Sequence, residues 1–187
     1  MTFLIGGLLL WSVVHFIPSL AMPLKQSLVA RLGENGYKAL FTLFTLGALA
    51  LIVTGWRSID QPVYLYQLPL WTRHLGMLLV LLAFILFVAS GMPTRIKQFL
   101  RHPQLTGVVI WAGAHLLMNG DSRSLLLFGS LGVWAVLEMV LINRRDGIWV
   151  KPAVPGIAQE VKILAISAVG FIAVMMAHPW IAGVAVF

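Results

Sequence analysis

Two histidines stand where a lipid-buried chain can least easily carry them. His15 falls inside the first long apolar run, about seven residues from one end, or roughly 10 Å deep at about 1.5 Å per residue. His115 falls inside the fourth run, about eleven residues in from the same side, or roughly 16 Å. Helical neighbours three and four apart give each histidine its face. Trp11, Ser12, His15 and Ser19 form one stripe; Gln104, Gly107, Trp111, His115 and Met118 form the other. Both stripes are more polar than the rest of their helices, so both are expected to face the protein interior. Two inward imidazoles on different helices suit the axial ligands of a haem iron, or of another metal, held from opposite sides. They equally suit interhelical hydrogen bonding, worth about a kcal/mol each. The residue types alone leave both readings open.

The remaining titratable groups sort by depth. Glu138 lies about six residues from the end of the fifth run, close in depth to His15. An ionisable group inside a membrane is a functional candidate by default. Its possible roles are a catalytic proton relay, an acceptor that fixes the His15 tautomer, or a helix-end partner for Arg144 or Arg145. His102 belongs at the mouth of the fourth run. His74 and His178 belong near the outer ends of the third and sixth, where water reaches them, and His178 precedes Pro179, where a helix is expected to stop. Cysteine is absent, which excludes disulfides, thiolate haem ligation, iron–sulfur clusters, Cys-based zinc sites and covalent c-type haem.

These side chains need apolar elements to hold them, and the composition supplies them. Of 187 residues, 60% are hydrophobic and 10% charged, against roughly a quarter charged in a soluble domain. A chain so poor in charge cannot cover its own core with polar surface, so its solvent is lipid. The +7 net charge does not indicate nucleic acid, because the cations lie in short strips between apolar runs rather than along one soluble face. Six runs approach the roughly 17–25 residues that cross a bilayer: 2–21, 39–56, 73–88, 105–119, 124–142 and 161–178. The fourth is short and carries polar residues. The expected fold is all-α, one domain over residues 1–187, a single bundle of six transmembrane helices.

Orientation follows from the basic residues. Lys25, Arg31, Lys38, Arg95, Lys97, Arg101, Arg144, Arg145, Lys151 and Lys162 fall in the first, third and fifth connections or their flanks. Arg57, Arg73 and Arg123 fall on the other side. Ten against three puts the first set in the cytoplasm and both termini on the periplasmic side. No Lys or Arg precedes residue 25, which fits a translocated N-terminus and a retained first span. A haem hanging in the inner leaflet half would find Lys25, Arg31, Arg101 and Arg144 for its propionates. Pro18 and Pro23 mark the end of the first span, Gly33–Glu34–Asn35–Gly36 reads as a turn before the second, and Gly91–Met92–Pro93 ends the third. Asn119–Gly120 reads as a helix stop, Asp121 or Ser122 as the cap of the fifth, and the Pro-rich 143–160 stretch as an extended surface segment. Trp56, Trp71, Trp149 and Trp180 suit interfacial belts, and Trp11, Trp111 and Trp134 suit the core or a cofactor pocket. Gly129 and Gly132 are expected to permit close helix contact.

Several stretches carry a resemblance. Arg101-His102-Pro103-Gln104-Leu105-Thr106-Gly107, Ile110-Trp111-Ala112-Gly113-Ala114-His115, Asn119-Gly120-Asp121 and Ser124-Leu125-Leu126-Leu127-Phe128-Gly129 resemble the NnrU family. So do His15 and the run Arg31-Leu32-Gly33-Glu34-Asn35-Gly36-Tyr37-Lys38. The resemblance spans nearly the whole chain. It implies a bacterial inner-membrane protein associated with nitrite and nitric oxide reduction, that is, denitrification. The family extends to the zeta-carotene isomerase of plants, a haem b membrane enzyme. Its haem-ligating histidines map onto His15 and His115, so the resemblance implies haem b on that pair, with Trp111, Arg101, His102 and Arg31 around it. Where the plant branch has a cysteine this chain has Ala112, so a thiolate ligand is lacking. Nitric oxide, or a polyene undergoing cis–trans isomerisation, would be the ligand of an iron that opens a coordination position.

Two further functions come from other classes. Arg101-His102-Pro103 is similar to a motif of membrane methyltransferases of the isoprenylcysteine carboxyl type, which bind S-adenosylmethionine; here Leu105 replaces that motif's tyrosine, and its later acidic motif is missing. A non-catalytic assembly factor docking on a respiratory or denitrification complex would need only the bundle.

Overall fold

Apolar runs bounded by Pro, Gly and Asx signals fold, in a computed structural model describing residues 1–186, into six helices in chain order. They are α1 (Thr2–Leu20), α2 (Met22–Arg57), α3 (Trp71–Ser90), α4 (Pro103–Met118), α5 (Ser122–Asp146) and α6 (Ile157–Ala182). A single 3₁₀ turn, Arg95–Gln98, joins α3 to α4. Among the described residues the extended pairing is one isolated antiparallel bridge, Tyr64 with Asp121. Five of the helices are long and apolar enough to cross a membrane: α1, α2, α3, α5 and α6. Large apolar side chains such as Phe3, Leu9, Val13, Leu43, Val169 and Met176 are exposed along them. In water such patches would drive aggregation; in lipid they are the wetted surface.

The chain divides into two compact units, one of residues Met1–Pro62 and one beginning at Val63. In the first, α1 and the long part of α2 pack antiparallel. A Cβ on Gly7 would meet the backbone of Ala48 and Ile52, and one on Gly55 would meet the backbone of Leu4, so the small residues let the two helices touch backbone to backbone. α1 ends at Leu20, within a residue of the expected run 2–21, and Pro18 lies inside it rather than at a stop. Helix then resumes at once, because Pro23 stands in the first turn of α2, where its missing N–H costs nothing. The expected turn at 33–36 narrows to Gly33 alone, at φ 72° and ψ 167°, a conformation closed to other residues. Glu34 and Lys38 pair across the next exposed turn at 3.3 Å.

The second unit is an up-and-down array of α3, α4, α5 and α6. Gly107 of α4 approaches the Ala83 carbonyl and Leu86 of α3, whereas Gly76, near the start of α3, lies against Met118, so the two helices are antiparallel. Gly132 of α5 faces Ala112 of α4, as expected; Gly129 meets only its own helix at Leu125, so it makes no close approach. Ser167 of α6 donates to the Phe84 carbonyl of α3, and Phe84 meets Phe171 edge-on at 5.9 Å. α6 continues through His178–Pro179 to Ala182, where Gly183 ends it at positive φ, one turn beyond the expected stop.

α4 is the short member of the six expected helices. Its 16 residues reach roughly 24 Å, short of the ~30 Å hydrocarbon layer, and it is not among the five long apolar helices. It sits between α3 and α5, where Ala112 and Ala114 are buried.

Candidate functional site

Each unit carries one of the two deep histidines, and the two are built alike. In α1 the His15 Nδ1 hydrogen-bonds the Trp11 carbonyl at 2.8 Å. In α4 the His115 Nδ1 hydrogen-bonds the Trp111 carbonyl at 2.8 Å. A carbonyl only accepts, so Nδ1 carries the proton in both rings and Nε2 carries the lone pair. That is the tautomer a metal-ligating imidazole needs, with its orientation set by the bond its other nitrogen makes.

Aromatic rings hold both imidazoles in place. His15 stacks on Trp11 with centroids 4.2 Å apart and planes at 23°, and Phe41 of α2 meets it edge-on at 5.1 Å. His115 stacks on Phe128 of α5 at 4.4 Å and 25°, with Trp111 at 4.9 Å from both rings. Both histidines are half-buried. The Trp-x-x-x-His spacing recurs at 11/15 and 111/115, a regularity visible in the sequence. Phe41 and Phe128 carried no such signal, since they reach the rings from other helices.

The end of α4 beside His115 is anchored carbonyl by carbonyl. The last carbonyls of a helix have no partner within it. Here Asn119 gives both its backbone N–H (2.8 Å) and its side-chain Nδ2 (3.0 Å) to the His115 carbonyl. The Tyr66 hydroxyl donates to the Leu116 carbonyl at 2.6 Å, and the Thr72 hydroxyl to that of Leu117 at 3.1 Å. Segment 63–66 lies across the α4–α5 corner as a strap, with Leu65 N–H on the Gly120 carbonyl at 2.8 Å and Ser122 N–H on that of Val63 at 2.8 Å. Gly120 is required because the Tyr66 carbonyl occupies the place of a Cβ. Asp121 is the cap of α5, as the sequence suggested: Oδ1 accepts from the N–H of Arg123 and Ser124, and Oδ2 from the Ser124 hydroxyl at 2.7 Å. Asn119-Gly120-Asp121 is thus the device that fixes the histidine-bearing end of α4. Burial, and then the Asp121 charge, push the Tyr66 phenol above its ordinary value, so it remains a donor at neutral pH.

The other expected site residues scatter. Trp111 is at His115. Arg101 and His102 are not: they precede α4, roughly 20 Å along the helix from His115, and the structure gives them other work. Arg101 donates to the Gly147 carbonyl at 2.7 Å, and His102 Nε2 meets Asn143 Oδ1 at 2.9 Å. Both tie the α3–α4 connection to the end of α5. Arg31 is exposed, two residues before the Gly33 break. Glu138 is buried in α5 at 3% exposure, ten residues and roughly 15 Å along the helix from Phe128. Arg145 pairs with Asp146 at 2.6 Å. His178 donates through Nδ1 to the Val184 carbonyl at 2.7 Å. Among the described residues no group of three or more His, Asp or Glu side chains could hold a metal ion.

With two matched imidazoles at 15 and 115 and a fixed Asn-Gly-Asp corner, the chain can be set against known proteins. The NnrU protein family matches residues 3–186. The chain belongs to the NnrU family. The match covers both units and every helix described above, so the Trp-x-x-x-His stations and the 119–121 corner all lie within it. No curated protein and no solved structure matches the chain.

Proposed function

We propose that this NnrU-family protein is a multi-pass inner-membrane protein that binds haem b through His15 and His115 and serves nitrite and nitric oxide reduction. The observation that carries the reading is the twin construction of the two histidines. Each imidazole has its Nδ1 bonded to the carbonyl four residues back and an aromatic ring stacked against it, the protonation pattern in which Nε2 is the basic nitrogen. The donor set suits haem better than a bare ion, because a haem brings four ring nitrogens and asks the protein for only one or two more. Half-buried imidazoles, aromatic neighbours and a lipid surround supply the apolar setting a porphyrin needs. When bound, haem would supply a one-electron couple and a metal centre that could take nitric oxide or a polyene as ligand. Membership of the NnrU family is what supports the nitrogen-oxide part of the reading.

The test is a visible spectrum of the full-length protein in mild detergent, oxidised and reduced. The expected result is a sharp Soret band with low-spin b-type features. His15→Ala and His115→Ala should each convert the spectrum to high-spin or remove the pigment, with helix content unchanged by circular dichroism. An unaltered low-spin spectrum in both variants would overturn the ligand assignment. Saturable S-adenosylmethionine binding by a colourless protein would move the methyltransferase reading ahead of it.

A further inference from the structure

One face of the second unit combines features that water and hydrocarbon each reject. The α3–α4 connection and the segment after α5 are laced together there. Gln98 donates to the Pro152 carbonyl at 2.6 Å, Arg101 to that of Gly147 at 2.7 Å, and His102 meets Asn143 at 2.9 Å. From this platform Phe99, Ile148 and Val150 project with 82%, 92% and 85% of their surface exposed. Three apolar side chains held out by a braced scaffold are unfavourable in water. Residues 149–156 have neither helix nor strand, so their backbone N–H and C=O groups cannot enter the hydrocarbon layer either. The headgroup layer satisfies both conditions, with side chains dipping below and backbone hydrated above.

The charges on the platform select among headgroups. Arg95, Arg101, Arg144, Arg145, Lys151 and Lys162 lie in or beside the same chain segments as the apolar residues. Of the two acids, Asp146 is paired with Arg145, and Glu160 accepts from Thr94 and from the Arg95 N–H. Lys151 sits over the Trp149 ring at 5.3 Å, which braces a cation beside Ile148 and Val150. The strap at the opposite end of the same unit provides a built-in contrast. Val63, Tyr64 and Leu65 are also exposed there, but Arg123 pairs with Asp121 at 3.7 Å and few other cations are near.

We propose that the platform of residues 98–102 and 143–152 is an anionic-phospholipid site, seated in the headgroup layer with Phe99, Ile148 and Val150 as apolar anchors and Arg144 and Lys151 as headgroup partners. It stands apart from haem binding and does not depend on it.

The cysteine-free chain makes the test direct. Single cysteines replacing Phe99, Ile148, Val150, Tyr64 and, as a water reference, Glu34 take a nitroxide in the full-length protein. Labelled proteins go into nanodiscs of phosphatidylcholine alone or mixed with phosphatidylglycerol, and collisions with oxygen and with a soluble nickel chelate give depth. Labels at 99, 148 and 150 should be shielded from nickel several-fold relative to Glu34, and more so with phosphatidylglycerol, while Tyr64 should not respond to lipid charge. Arg144→Gln with Lys151→Gln should abolish the phosphatidylglycerol response and the retention of that lipid over phosphatidylcholine in native mass spectrometry. Nickel access at 148 equal to that at Glu34 would overturn the proposal. So would equal shielding in both lipids and in detergent, which is the signature of a protein partner or second copy, and so would a charge response that survives the double variant.

Discussion

Tyr66 makes the sharpest test of how the histidine-bearing end of α4 is held. Its hydroxyl is a donor to the Leu116 carbonyl, and also lies 3.3 Å from that of Asn119. Tyr66→Phe keeps the ring and removes the donor, so the expected loss is about 1 kcal/mol of stability. The pH dependence has a definite sign. The folded state raises the Tyr66 pKa above the unfolded value, so the neutral phenol is the stabilised form. Its contribution is complete below tyrosine's ordinary 10.0 and is lost as pH rises through the higher folded value. Thermal melts of the detergent-solubilised protein should therefore show a gap between wild type and Tyr66→Phe at pH 8 that closes at strongly alkaline pH. No gap at pH 8 would mean that the ring's packing, and not its proton, holds the corner. The sequence made Asn119, Gly120 and Asp121 readable as a helix stop and cap, because those signals are local. Tyr66 and Thr72 gave no sign, because they reach α4 from a segment some fifty residues earlier.

At the scale of elements, close helix contact depends on which glycines face a neighbour. Gly55 packs against the Leu4 backbone, while Gly6 and Gly47, in the same pair of helices, have nothing within 4 Å of a Cβ position. Gly55→Ala must push α1 from α2 and should lower stability by about 1–3 kcal/mol. Gly6→Ala and Gly47→Ala should be neutral or stabilising by up to about 1 kcal/mol, since alanine is the better helix former. Melting curves by circular dichroism in one detergent would rank the three, and equal effects would refute the backbone contact. The same reasoning explains why apolar runs placed α1, α3 and α5 to within a few residues while helix ends near proline went astray. Pro23 sits in a first turn and Pro179 in a last turn, positions a helix tolerates, and composition does not distinguish them from stops. Gly132 meets Ala112 but Gly129 meets nothing on another helix, although both looked alike in sequence.

At the scale of the molecule, α4 decides the number of crossings. By length it falls short, but its neighbours leave it no alternative. α5 is long enough to cross; its first residues adjoin the end of α4 through the Asn-Gly-Asp corner, and its last are tied to the start of α4 by His102–Asn143 and Arg101–Gly147. Whatever depth α5 spans, α4 with its flanking loops spans in return. If α4 crosses as well, six passes put both termini on one side, and ten of thirteen basic residues lie in or beside the connections on the other. Reporter fusions at residue 187 and at the N-terminus should therefore both give active periplasmic alkaline phosphatase and dark cytoplasmic fluorescent protein. A fusion in the 148–154 segment should give the reverse. Opposite signals from the two termini would mean an odd number of crossings, and α4 would then be an intramembrane hairpin arm; His115 would lie in a re-entrant segment, and its access to water, and to any small ligand of an iron it held, would come from the side that α4 enters and leaves.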